Sequence, residues 1–137
     1  MKKIEVSGNE HANLNERTKG FLKELNDMGI VFKFKLADIL KERNLSIREC
    51  AKITGLRIAT ISDLMNGNKS SINLHHVLII MACLRVTKFE DIVEIYIPDK
   101  EKMEYISDSE TWIKTGELPS MVNVFIKYWS GESDSLK

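Results

Sequence analysis

The stretch from Leu45 to Gly67, reading LSIRECAKITGLRIATISDLMNG, leaves this chain few ways to fold. Ser46 followed by Glu49 is a capping-box spacing, which predicts a helix starting at Ile47. Cys50 and Ala51 fall on its inward side, and Ala51 is small enough to let another helix cross close by. Thr54-Gly55-Leu56 breaks this helix, because glycine tolerates the left-handed conformation that a tight inter-helix turn needs. A second helix follows from about Arg57 to Asn66. Leu56, Ile61 and Leu64 take its buried side, while Ile58, Ser62 and Asn66 are spaced by four along the other, with Ala59 beside them. The result is a helix presented outward on a rigid support.

The flanks read as further helices. Residues 1–13 are polar and contain Gly8 and Asn9, the composition of a loosely attached arm. Asn15 to Met28 has helical spacing, with Phe21, Leu22, Leu25 and Met28 on one side and Gly29 as a stop. Phe32 to Arg43 reads as a helix with Phe32, Leu36, Ile39 and Leu40 inward and Lys33, Lys35, Lys41 and Arg43 in water. After the polar loop Asn66–Ile72, Asn73 can cap a core helix carrying Leu74, Val77, Leu78, Met81 and Leu84. Thr87 marks the start of a fifth helix bearing Phe89, Ile92, Val93 and Ile95. Pro98 and the charged run 99–104 read as a boundary, followed by a short helix over Ser107–Lys114 and a stop at Gly116. Pro119 and Ser120 then open an amphipathic helix in which Met121, Val124, Phe125, Tyr128 and Trp129 follow i, i+3, i+4, i+7 and i+8. That stripe suits either docking within the chain or a dimer interface, where aromatics and Met are enriched.

With 137 residues and 43% apolar content, the chain suits one modest core with extensions. Formal net charge is zero, so total charge carries no nucleic-acid signal. Its distribution says more: ten basic against seven acidic residues over 31–96 leave +3, and five against eight over 97–137 leave −3. Cys50 and Cys83 sit in apolar helical patterns without a short-spaced partner, as buried reduced thiols of a cytosolic protein do. The two N-terminal lysines have no hydrophobic segment behind them, unlike a secretory signal, and the longest apolar run, Val77–Leu84, is too short to span a bilayer. The expectation is a cytoplasmic protein with no membrane segment.

Chemistry finds little purchase. His75 and His76 are adjacent on a helix and so point about 100° apart, which prevents them from sharing a metal easily. There is no G-x-S-x-G, no Gly-rich phosphate loop and no H-E-x-x-H, and the carboxylates lie scattered on solvent faces. No catalytic residue, metal ligand or cofactor is expected.

The pattern LSxxxxAxxxGLxxxTIxxLxNG, with Ala51, Gly55, Ile61, Leu64 and the Asn66-Gly67 exit, resembles the Cro and phage-repressor helix-turn-helix family, also called the XRE family. The resemblance spans roughly Phe32 to Ile95. It implies a five-helix repressor-like helix-turn-helix domain at 31–96. The flanking residues read as an N-terminal arm and helix at 1–30 and a C-terminal helical extension at 97–137, a candidate for dimerisation, for an all-α fold throughout. It further implies double-stranded DNA as partner, a homodimer, and a transcription regulator of repressor type. By position in the motif, Arg57, Ile58, Ala59 and Ser62 would meet base edges: Arg57 a guanine or phosphate, Ala59 a thymine methyl, Ser62 an adaptable contact. Ser46, Arg48, Asn66, Asn68, Lys69 and Ser70 would lie along the sugar-phosphate backbone. Ile47 and Ile58 stand where better-read members often carry Gln, so an exposed pair of isoleucines also suits a protein partner. The alternative is therefore a helix-turn-helix scaffold used for protein binding, as in a phage accessory protein, antitoxin or inhibitor.

Overall fold

A computed structural model describes residues 8–136, with side chains from residue 15 onward. In order along the chain are α1 (Gly8–Asp27), β1 (Val31–Phe34), α2 (Leu36–Glu42), α3 (Ile47–Thr54), α4 (Ile58–Asn66) and α5 (Leu74–Leu84). A 3-10 turn at Phe89–Asp91, β2 (Val93–Tyr96), α6 (Asp99–Thr115) and α7 (Ser120–Ser130) complete it. The polar arm expected at 1–13 lies partly outside the described residues, and from Gly8 onward the backbone is helical. Two compact units result, one of residues 32–96 and one of residues 1–31 with 97–137. Among the described residues, no helix is long and apolar enough to cross a membrane.

In the 32–96 unit the core gathers one or more side chains from every helix. Leu36, Ile39 and Leu40 of α2, Cys50 of α3, Ile61 and Leu64 of α4, and Val77, Ile80 and Leu84 of α5 close around Ile92 and Val93. Burying such side chains contributes about 1.5–3 kcal/mol each, which is what holds helices of 7 to 11 residues that would be marginal alone. Arg43, exposed as expected, also donates from Nε to the carbonyl of Leu84 at 3.0 Å and ties the end of α2 to the end of α5.

Two segments read as helical are extended instead. The expected helix at Phe32–Arg43 begins only at Leu36, and Phe32 is 63% exposed in β1. The expected fifth helix splits into the 3-10 turn and β2, burying Ile92 and Val93 but leaving Ile95 outside. VFKF and VEIY are rich in β-branched and aromatic residues, which favour extended backbone over helix where the two segments can pair. The two strands form one sheet. Lys35 N–H donates to the Ile92 carbonyl at 2.8 Å just past the strand ends, which fixes them antiparallel, since parallel strands would carry these residues apart. On one face Lys33 lies over the Tyr96 ring at 4.3 Å and Lys35 pairs with Glu94 at 2.9 Å.

Two further expectations need correction. On α5, Leu74 and Leu78 are exposed and Ile80 takes the buried place, because the helix turns its Val77–Ile80–Leu84 stripe to the core. Ile47, expected on the outward face, packs partly buried against the core.

The other unit rests on α1 and α7. Phe21 stacks on Trp129 with ring centroids 5.0 Å apart and meets Phe125 at 5.1 Å. Tyr128 is buried, and its hydroxyl donates to the Arg17 carbonyl at 2.8 Å. The Arg17 guanidinium answers by donating to the carbonyls of Tyr128 at 2.7 Å and Ser133 at 2.9 Å, and it pairs with Asp134. The Met121–Trp129 stripe of the sequence thus has partners within its own chain. The short helix expected at Ser107–Lys114 is longer: α6 starts right after Pro98, and the charged run is its first turn, where Asp99 and Glu101 complement the helix dipole.

Candidate nucleic-acid interface

The helix-turn-helix is built as its residues dictate. Ser46 Oγ accepts from the Glu49 N–H at 3.1 Å while the Glu49 carboxylate accepts from the Ser46 N–H at 2.8 Å, so both halves of the capping box are present. Hydrogen bonding from the Ser46 backbone, then from its side chain, holds the Glu49 carboxyl below its ordinary value. At the other end of α3, Gly55 adopts φ 74°, and its N–H closes on the Ala51 carbonyl at 2.8 Å. Thr54, buried, locks the turn twice: its hydroxyl donates to the Cys50 carbonyl at 2.8 Å and accepts from the Leu56 N–H at 3.2 Å.

That turn launches α4 at a fixed angle. Arg57 is its N-cap in an extended conformation and spends no side-chain bond on capping. Its carbonyl instead accepts the first helical bond, from Ile61 N–H at 3.1 Å. Ile61 is fully buried and Leu64 nearly so, which pins the helix from behind. Arg57, Ile58 and Ala59 are exposed on its N-terminal half, and Ser62 is half-buried one turn on. Arg57, Ile58, Ala59 and Ser62 therefore share one outward surface at the N-terminal end of α4. Ile58, at 42% exposure, is an apolar point in the middle of it.

The backbone candidates flank this surface. Ser46 and Arg48 are exposed at the start of α3. Ser46 Oγ accepts from the Glu49 N–H, and its hydroxyl also serves the Glu49 carboxylate, so the side chain is committed to the capping box. Glu49 places a negative charge at the same helix end, a feature that opposes an anion there. Asn66 reaches back from Nδ2 to Ser62 Oγ at 3.4 Å, a long bond that ties the end of α4 to its outward face. Gly67, at φ 66°, turns the chain out of the helix, directly against the Phe34 ring. Asn68 N–H then caps the Asp63 carbonyl at 3.1 Å, and its side-chain amide faces the Asp63 carboxylate at 3.5 Å. The loop borders a cleft of about 210 Å³ lined by Phe34, Leu64, Ile72 and Val77 together with Asp63, Lys69 and His76, and Asn68, Lys69 and Ser70 are exposed. At its end Asn73 Oδ1 accepts from the N–H groups of His75 and His76, as its place in the sequence predicts.

Two features of this surface were not read from the sequence. Asn68 serves Asp63 as well as the outside, a link five residues long that no motif encodes. Thr54 is a buried brace, not a turn residue at the surface, and the only hint of it was a hydroxyl one turn after Cys50. Among the described residues no group of His, Cys, Asp and Glu could hold a metal ion.

Comparison with curated proteins and with solved structures finds no match. A family comparison does: residues 35–99 match the model of the Cro/C1-type HTH DNA-binding domain. Its span begins just before α2 and ends at the first residue of α6, enclosing the core and both helices of the motif. Residues 35–99 therefore form a Cro/C1-type helix-turn-helix domain, which supports a DNA-binding regulator.

Proposed function

We propose that this protein is a sequence-specific transcriptional repressor of phage-repressor type, cytoplasmic and acting as a homodimer on double-stranded DNA. The observation that carries the reading is α4, with Arg57, Ile58 and Ala59 exposed together at its leading end and Ile61 and Leu64 anchored in the core. Two such helices enter successive major grooves about 34 Å apart on a two-fold site. Arg57, Ile58, Ala59 and Ser62 read base edges; Ser46, Arg48, Asn66, Asn68, Lys69 and Ser70 hold the backbone. Recovery of genomic fragments by the purified protein, sequenced at low and moderate salt, tests this. One inverted-repeat motif surviving moderate salt is expected. In binding assays on that site, Lys69→Ala weakens all sequences alike, whereas Arg57→Ala changes base preference by about 1–3 kcal/mol at one position. Arg57→Ala with unchanged affinity and preference would show that α4 is not the reading helix.

A second reading has its own support. Ile58 on α4 and the exposed Leu74 and Leu78 on α5 are apolar points of the kind a protein partner covers. Uniform, salt-labile recovery of DNA, or none, favours that scaffold role, because an apolar interface responds weakly to salt.

A further inference from the structure

The unit of residues 1–31 and 97–137 has an unbalanced ledger of apolar surface. Among its described residues only Tyr128 and Leu136 are buried hydrophobics. Its longest C-terminal helix, α6, buries none of its 17 residues. Met103, Ile106 and Ile113 are 71%, 50% and 83% exposed. At about 100° per residue they lie within one stripe roughly 80° wide, the width of a helix–helix seam. The α7 stripe, by contrast, already has Phe21 and Arg17 as partners within the chain.

We propose that this stripe of α6 pairs antiparallel with the same stripe of a second copy, about a two-fold axis at Ile106, and that this seam joins the repressor dimer. The proposal rests on the dimeric reading above and names its surface. Charge selects the occupant. Lys102 lies four residues before Ile106 and Glu110 four after it, and both are exposed along the stripe. A two-fold at Ile106 sets each Lys102 opposite Glu110 of the other copy, twice over. Parallel pairing would set lysine on lysine and glutamate on glutamate. Met103 then covers the small Ser109 of the other copy, and Ile113 reaches its Pro98–Asp99 end. A face whose charges complement their own two-fold image is what a self-complementary interface requires.

The test uses the full chain without DNA and reads its mass by sedimentation across a concentration series. The unmodified chain is expected to dimerise. Lys102→Glu and Glu110→Lys each weaken the dimer at least about tenfold, since each brings two like charges together. An equimolar mixture of the two variants is expected to return to the original dimer affinity, because every facing pair is again opposite in sign. Both positions are exposed, and circular dichroism checks that the variants fold. Single variants that dimerise like the unmodified chain, or a mixture that stays monomeric, overturn the α6 seam while leaving the DNA reading intact. A chain monomeric throughout overturns the seam and the dimer together. Failure to enrich any motif by a chain that passes the mixing test sinks the DNA reading alone.

Discussion

Glu49 does local work with a pH signature. Its carboxylate accepts from the Ser46 N–H, and this bond exists only in the folded capping box. A carboxyl held below its ordinary value of 4.5 stabilises the fold fully above that value, and the contribution is lost as pH falls through the lower folded value. Melting temperature should therefore drop more steeply below pH 4.5 in the native chain than in Glu49→Gln, whose neutral amide does not titrate. Parallel curves would mean that the box contributes nothing to acid stability. This pair was legible in the sequence because a capping box is a contact between residues three apart. Ile47, one residue away, was not: helical spacing alone left it free to face outward, and only the assembled core shows it packed inside. Cys50 follows the same logic in reverse. Its apolar neighbours announced burial, and burial pushes its thiol up, while Cys83, read in the same way, is exposed on α5.

Elements begin and end at two glycines with different obligations. Gly55 and Gly67 both hold positive φ, and nothing lies within 4 Å of where a Cβ would sit at Gly55, whereas at Gly67 it would strike the Phe34 ring. Gly55→Ala should cost about 1–2 kcal/mol for the left-handed backbone alone. Gly67→Ala should cost about 1–3 kcal/mol more, the price of displacing a packed ring. Urea melts of the two variants measure the difference; equal losses would mean that Phe34 yields freely. Helix boundaries at Ser46, Gly55, Gly67, Gly116 and Ser120 were legible because caps and stops are written in adjacent residues. The strands were not, because Phe32, Leu36, Ile39 and Leu40 satisfy a helical period while Phe32 and Phe34 satisfy an extended one, and the choice falls to a partner sixty residues away. The face of α5 escaped for a related reason. In a helix as apolar as LHHVLIIMACL, periodicity cannot say which side is inside.

For the whole molecule, a chain of zero net charge must bind DNA with the few cations that its surface concentrates in one place. Arg48, Arg57 and Lys69 are the cations among the proposed DNA contacts, and all three are exposed, so the salt dependence of operator binding should be shallow: a log–log slope of about −3 per domain and about −5 for a pair. Titration at four salt concentrations gives this number, and a slope steeper than about −8 would require phosphate contacts from outside the motif. The division into units adds something else. The motif-bearing unit departs and returns through β1 and β2, antiparallel ribbons about 4.8 Å apart, so its two ends lie side by side. In terms of chain order it is an insertion, a cassette of residues 32–96 that interrupts the sequence of the other unit. Such a joint permits exchange: a reading head of different specificity, cut to the same paired ends, can be spliced between Val31 and Ile97 while the other unit keeps its own aromatic packing. Recognition and assembly are then free to diversify separately.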